Sequence, residues 1–244
     1  MTDRAGQLQS VTEATWPAAR AWREGPWTLR DGAGGGKRVS AATAEAAFSD
    51  ADIHMAETAM QAMGQPRLFM IRQAETALDE ALATRGYAVI DPVNLLIAPI
   101  ELIDDRNIPP VTAFEIWEPL AIMREIWAEG GISADRIAVM QRCTCPKTAL
   151  LGRANDHPSA VGYVAVHDGI AMVHALHVRP AMRRHGSARW LMRRAAHWGR
   201  SQGAQEIAAL CTQANDAANE LYHSMGFALV GQYHYRIHPD DRTA

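Results

Sequence analysis

The chain has 244 residues, 24 Lys and Arg against 27 Asp and Glu, and 48% apolar residues. That suits one large or two small folded domains and excludes a disordered chain. The slight acidity argues against a general nucleic-acid binder. Cys143, Cys145 and Cys211 are too few for a disulfide framework, and the lone Cys143-Thr144-Cys145 pair does not make a zinc site, so no metal is expected. The opening residues carry no apolar signal segment. The longest apolar run, 95–100, is short and interrupted by Pro99, so a cytoplasmic location without a membrane partner is expected.

In chain order, the spacing of Trp16, Ala19 and Trp22 predicts a helix over 10–24, stopped by Gly25-Pro26. A hairpin is expected next, with strands near 27–31 and 37–42 around the glycine-rich loop Gly32–Lys37. That loop is not a nucleotide P-loop, because Asp31 and Arg38 break the pattern at both ends. A helix over 50–64, a strand at 68–71, a helix at 75–85 closed by Gly86 and an extended stretch over 87–100 complete the first half. The polar run 104–108 followed by Pro109-Pro110 reads as a linker, which divides the chain into domains 1–106 and 111–244.

The second half reads as a strand (112–117), two helices (119–129 and 134–142) and three strands (148–153, 160–166 and 170–178), with Asp168-Gly169 as a hairpin turn. After a basic turn come a helix (187–202), a strand (206–211), a helix (216–225) and a last strand (227–237). The turn holds Arg183, Gly186 and Ala188 in an R-x-x-G-x-A spacing. A buried strand, a glycine-containing turn and a helix N-terminus together form an anion site, since free backbone N–H groups and the helix dipole point the same way.

The halves also resemble each other. Residues 75–90 align without gaps onto 215–230, an offset of 140, and each copy ends a helix with glycine, then an aromatic residue, then a strand. The first half has no counterpart of the basic turn.

The segment from Leu176-His177-Val178-Arg179-Pro180 into Arg183-x-x-Gly186-x-Ala188, followed by Asn215-x-x-Ala218-x-x-Leu221-Tyr222-x-x-x-Gly226-Phe227, resembles the GCN5-related N-acetyltransferase (GNAT) family. The resemblance covers about 111–238. It implies an α+β fold with a mixed sheet in the second half and a partial, degenerate copy in the first. It also implies transfer of acetyl from acetyl-CoA, the co-substrate, to a primary amine on a small molecule or peptide, by direct attack in a ternary complex. On that reading Leu176, His177 and Val178 dock the pantetheine and acetyl group. Arg183, Arg184, His185, Gly186, Ser187 and Ala188 hold the pyrophosphate, Asn215 contacts the cofactor arm, and Tyr222 is the general acid. The strand lacks the family's usual glutamate. His174 is therefore the expected base, with Glu115, Glu118 and His177 as weaker alternatives, and a core histidine is the competing reading. A non-catalytic acyl-CoA-binding module is the alternative function, and the oligomeric state is left open.

Overall fold

A computed structural model describes residues 3–242. The chain forms two compact units that interleave along the sequence. Unit 1 holds the chain up to Pro17 with Leu95–Cys211 and Asn215–Val230; unit 2 holds Ala18–Asn94, Thr212–Ala214 and the chain from Gly231. This differs from a single cut between 106 and 111, because one early helix belongs with the late residues and two strands pass from one unit into the other.

Unit 1 begins with helix α1 (Arg4–Thr15), capped by the Asp3 side chain. Its sheet uses β6 (Ala113–Ile116), β7 (Lys147–Ala154), β8 (His157–His167), β9 (Ile170–Val178) and β10 (Glu206–Thr212), with the end of β5 (Ala88–Pro99) and the start of β11 (Ala228–Ile237) beyond β10. The β6–β9 meander is antiparallel, whereas β9 and β10 run parallel, joined by helix α7 (Ser187–Ser201). A parallel neighbour needs such a crossover. The short α4 (Ile100–Ile103) follows β5, helices α5 (Ala121–Glu129) and α6 (Ala134–Arg142) precede β7, and α8 (Asp216–Ser224) links β10 to β11.

The period of β9 sorts its side chains. Val173 joins Leu150, Val164, Leu191, Ala195 and Ile207 in the core beneath α7, while the adjacent His174 faces the other side, where it packs on Trp16 and Tyr163. The apolar residues Leu191, Ala195 and Trp198 lie on the buried face of α7. Gly199 lets this helix approach the sheet, since a Cβ there would lie 2.6 Å from the Cβ of Ala171. Arg189, Arg193 and Arg200, which share a face in sequence, separate by partner: Arg193 is buried against Asp105 at 2.8 Å, Arg189 donates to Ser224 Oγ, and Arg200 pairs with Asp104.

Unit 2 contains a hairpin of β1 (Arg20–Glu24) and β2 (Trp27–Asp31), the short β3 (Thr43–Ala44), helix α2 (Asp50–Ala62), strand β4 (Leu68–Arg72), helix α3 (Thr76–Thr84) and the start of β5. The end of β11 lies between β4 and β5. Two expectations fail here. Residues 20–24 are a strand rather than the end of a helix, and 37–39 is a 3-10 turn rather than a strand. Gly25, with φ +56°, and Pro26 close a tight β1–β2 turn, so the tryptophan spacing reports strand packing and not a helical stripe. The core of this unit is Trp27, Leu29, Ile53, Met60, Phe69 and Leu82.

The aligned segments occupy corresponding elements, β4-α3-β5 and β10-α8-β11, with α3 and α8 at the same offset of 140. In each unit the strand that opens one copy is flanked by the strand that closes the other: β10 by the end of β5, and β4 by the end of β11.

Gly199→Val should force α7 off β9 and lower stability by about 3 kcal/mol, the upper range for overpacking. Urea denaturation should show a lower midpoint with an unchanged slope.

Candidate functional site

The site is built where β9 and β10 part. Their parallel ladder runs from Ile170↔Glu206 to Val173↔Ala209 and stops, although both strands continue. On its other edge β9 remains paired with β8 to Val178. The register there shifts, from Tyr163↔His174 to Val161↔His177, across a bulge in which Ala175 has φ +50°. A bulge bends a strand and re-aims its side chains. This one is pinned from α5, where the Trp127 indole N–H donates to the Ala175 carbonyl at 2.8 Å. Past the bulge, Leu176 and Val178 turn toward the core under α7 and His177 toward the opposite face, against Gly130. The parted edge of 176–178 thus offers extended backbone to a ligand instead of to β10.

The chain leaves β9 through Arg179, whose guanidinium holds Glu129 at 2.7 and 3.0 Å. A 3-10 turn at Pro180–Met182 follows. Arg184 (φ +68°) and Gly186 (φ +79°) are both left-handed, and α7 starts at Ser187 without a side-chain cap. Among the described residues, nothing accepts a hydrogen bond from the backbone N–H of Arg184, His185, Gly186, Ser187 or Ala188. Successive left-handed residues at a helix N-terminus turn such N–H groups to a common point, a concave anion site. Arg183, Arg184, His185 and Gly186 are exposed around it. The Ser187 hydroxyl instead turns inward, 2.9 Å from that of buried Ser159, and ties the helix start to β8.

Beyond β10, Asn215 caps α8, its side chain accepting from the Ala218 N–H at 3.2 Å. Tyr222 is buried against Phe227, ring centroids 5.3 Å apart, within the same core as Leu176, Val178 and Cys211. Burial, with Cys211 beside it, pushes the phenol pKa well above its ordinary value, so the hydroxyl keeps its proton through neutral pH. The motif residues Leu176–Val178, Arg183–Ala188 and Tyr222 therefore belong to unit 1 around the end of β9 and the start of α7, with Asn215 of the same unit at the head of α8.

His174, the expected base, has a different setting. It is 3% exposed, stacked on Trp16 with centroids 5.0 Å apart, and its Nε2 lies 2.9 Å from Thr15 Oγ1. The Thr15 hydroxyl already donates to the Val11 carbonyl at 2.7 Å, so Nε2 carries the hydrogen and Thr15 accepts it. This is the geometry of a packed, hydrogen-bonded core histidine. Sequence reasoning missed both partners, as well as Trp127 and Gly130; only the helical spacing of Trp16, Ala19 and Trp22 was visible, and it gave no hint that α1 lies on β9.

Unit 2 offers a contrast at the corresponding place. Ala42 bridges Phe69 in parallel, and beyond it the chain diverges from β4. Arg72 fills the gap, donating to the Ala44 carbonyl at 2.8 Å and pairing with Glu45 at 3.0 Å and Glu75 at 3.4 Å. The following helix α2 is closed by a capping box of Ser49 and Asp52 and has Asp50 and Asp52 in its first turn. A closed, acidic helix start repels an anion.

The sequence profile of the acetyltransferase (GNAT) family matches residues 119–227. An uncharacterized N-acetyltransferase of Bacillus subtilis (strain 168), YobR, is 27% identical over 244 residues, covering 96% of this chain and 99% of that protein. Among solved structures, a GCN5-related N-acetyltransferase from Kribbella flavida superposes with a TM-score of 0.76 at 18% identity, covering 98% of this chain and 97% of that one. A tandem GNAT protein from the clavulanic acid biosynthesis pathway superposes with a TM-score of 0.58 at 11% identity, covering 95% and 87%. At these identities the structures establish the shared fold.

Thr15→Val keeps the shape of the site but leaves the His174 N–H without its acceptor. Stability should fall by about 1–3 kcal/mol, visible as a lower midpoint in chemical denaturation.

Proposed function

We propose that this chain, whose residues 119–227 match the acetyltransferase (GNAT) family, moves the acetyl group of acetyl-CoA to a primary amine by direct attack within a ternary complex. The observation that carries this is the alignment, in one unit, of a parted β9–β10 edge with an open nest of N–H groups at residues 184–188. An acyl-CoA needs both. Its pyrophosphate fits the nest, with Arg183 and Arg184 adding charge and no side chain at Gly186 to obstruct close approach. Its amide-bearing arm can pair with the free edge of β9 as a neighbouring strand would, leading the thioester toward Leu176–Val178. Asn215 stands at the far rim, at the head of α8.

Transfer forms an amide C–N bond and breaks the C–S bond, so the departing sulfur requires a proton. Tyr222 supplies it in this reading, since its phenol is protonated and lies beside the parted strands. An acyl-cysteine intermediate is disfavoured. Cys211 is buried, and burial pushes its pKa up to about 11, which leaves little thiolate at neutral pH. Cys143 and Cys145 lie elsewhere, both pointing at the Ala14 carbonyl. His174 we assign to packing on the grounds of its Thr15 and Trp16 contacts. We read β4-α3-β5 as a second, degenerate copy of β10-α8-β11 in which Arg72 and the acidic start of α2 have replaced the donor site.

Tyr222→Phe should lower kcat by about 100-fold or more while leaving acetyl-CoA affinity nearly unchanged. The assay is thiol release over a panel of amino acids, polyamines, aminoglycosides and peptides. Unchanged turnover would remove Tyr222 from the mechanism, and acetyl-CoA binding without turnover of any amine would favour a binding module. Calorimetric titration should give one acetyl-CoA per chain; two sites would contradict the reading of unit 2.

A further inference from the structure

Direct attack requires the acceptor ammonium to lose a proton before its nitrogen can reach the thioester, and no assignment so far supplies the base. The acidic candidates are badly placed. Glu115 and Glu118 lie on or just after β6, three strands from β9 in the sheet, roughly 14 Å at the usual strand spacing. Glu115 also faces Arg194 of α7, at 3.4 Å. Glu129 is nearer, but both of its oxygens are held by Arg179. His174 is committed to Thr15 and Trp16.

His177 sits in the parted segment itself, between the two residues whose backbone lines the donor cleft. The bulge at Ala175 sends its ring to the face opposite α7, where it lies against Gly130. A Cβ at that glycine would come within 2.5 Å of Nδ1 and 2.6 Å of Cγ, so the ring position depends on residue 130 having no side chain. Its Nε2 is shielded from solvent and, among the described residues, has no hydrogen-bond partner. An orphaned ring nitrogen forgoes a hydrogen bond it makes in water, a cost that an apolar residue filling the same space would avoid. The charged groups facing the ring are Arg183 from the turn and Glu129 from the end of α5, the latter neutralised by Arg179. Burial and Arg183 outweigh Glu129 and hold the imidazole pKa below its ordinary value. The ring is therefore neutral at pH 7 and keeps one nitrogen lone pair.

We infer that His177 is the general base of the reaction, its unpartnered ring nitrogen accepting the proton that the acceptor ammonium must lose. This rests on the proposed acyl transfer to an amine. The N–H bond of the ammonium breaks as an N–H bond forms on the imidazole. The freed lone pair then attacks the thioester carbon. As the C–S bond breaks, sulfur takes the proton of Tyr222, the nitrogen's second proton restores the phenol, and the imidazolium returns its proton to water. One proton is released overall.

The test measures kcat/KM against pH for the wild type, His177→Gln and Gly130→Ala, with acetyl-CoA affinity by calorimetry for each. The wild-type profile should rise through an acid limb below the ordinary histidine range, since the base acts only when unprotonated. His177→Gln should flatten that limb and reduce kcat by about 100- to 10,000-fold, the span for losing a general base. Gly130→Ala keeps the imidazole but displaces it, and should reduce kcat by about tenfold or more. Both should bind acetyl-CoA within about threefold of wild type, which separates a lost base from a damaged donor site. An active wild type whose limb and rate survive His177→Gln overturns the assignment of the base alone. If His177→Gln does not fold, a Gly130→Ala enzyme with unchanged kcat and limb overturns it equally. A wild type that binds acetyl-CoA yet turns over no amine overturns the proposed function, and this inference with it.

Discussion

The site depends on one hydrogen bond more than on any motif residue. The Trp127 indole donates to the carbonyl of Ala175, the bulged residue of β9. A strand paired on both edges would leave no backbone for a ligand. Here β8 holds one edge through Val178 while the bulge carries the other away from β10. Two left-handed residues repeat the device a few positions later, at Arg184 and Gly186, and open the start of α7. Both departures from regular structure leave polar backbone groups unused, which a fold tolerates only where they reach water or a ligand. Arg184 shows how local the demand is, because an arginine occupies a conformation that favours glycine.

The same bulge divides the two histidines of β9. His174, before it, falls under α1 with a hydroxyl to accept its N–H and an indole to stack on. His177, after it, shares the same face, where its ring lies against Gly130 and its Nε2 has no hydrogen-bond partner among the described residues. Without the inserted residue, strict alternation would place the two rings on opposite faces. Identical side chains on one strand thus acquire opposite characters, one satisfied and one not, from neighbours far away in the sequence.

That distance explains what could be read beforehand. Elements governed by local rules were legible: the helix over 187–202, and the helix stops at Gly86 and Gly226, both with positive φ. The R-x-x-G-x-A turn was legible because its chemistry lies within one short segment. What failed was long-range or ambiguous in period. Trp16 and Trp22 fit a helical spacing, yet Trp16 belongs to the end of α1 and Trp22 to a strand with Arg20 over its ring. A boundary at the Pro109-Pro110 linker was reasonable from composition, but α1 packs with late residues and β5 and β11 each serve both units. His174 stands in the strand that lacks the family's usual glutamate, and the partner that occupies it, Thr15, is 159 residues away.

Arg72 shows how a cleft of this kind can be closed without changing the elements around it. In unit 2 a strand, a helix start and a neighbouring chain segment still diverge as β9 and β10 do, and the divergence still leaves a backbone carbonyl, that of Ala44, without a strand partner at the gap. A guanidinium reaches it and takes two carboxylates with it. Arginine suits this position because its planar fork offers several donors at fixed angles, where a lysine would offer a single point charge. Burial raises the pKa of Glu75, whereas hydrogen bonds to Thr43 and Arg72 lower that of Glu45, so the two acids around one cation are not equivalent. The interaction that would bind a ligand's polar arm in an open cleft is here made internally, and a single side chain suffices because a parted pair of strands exposes only a few backbone groups.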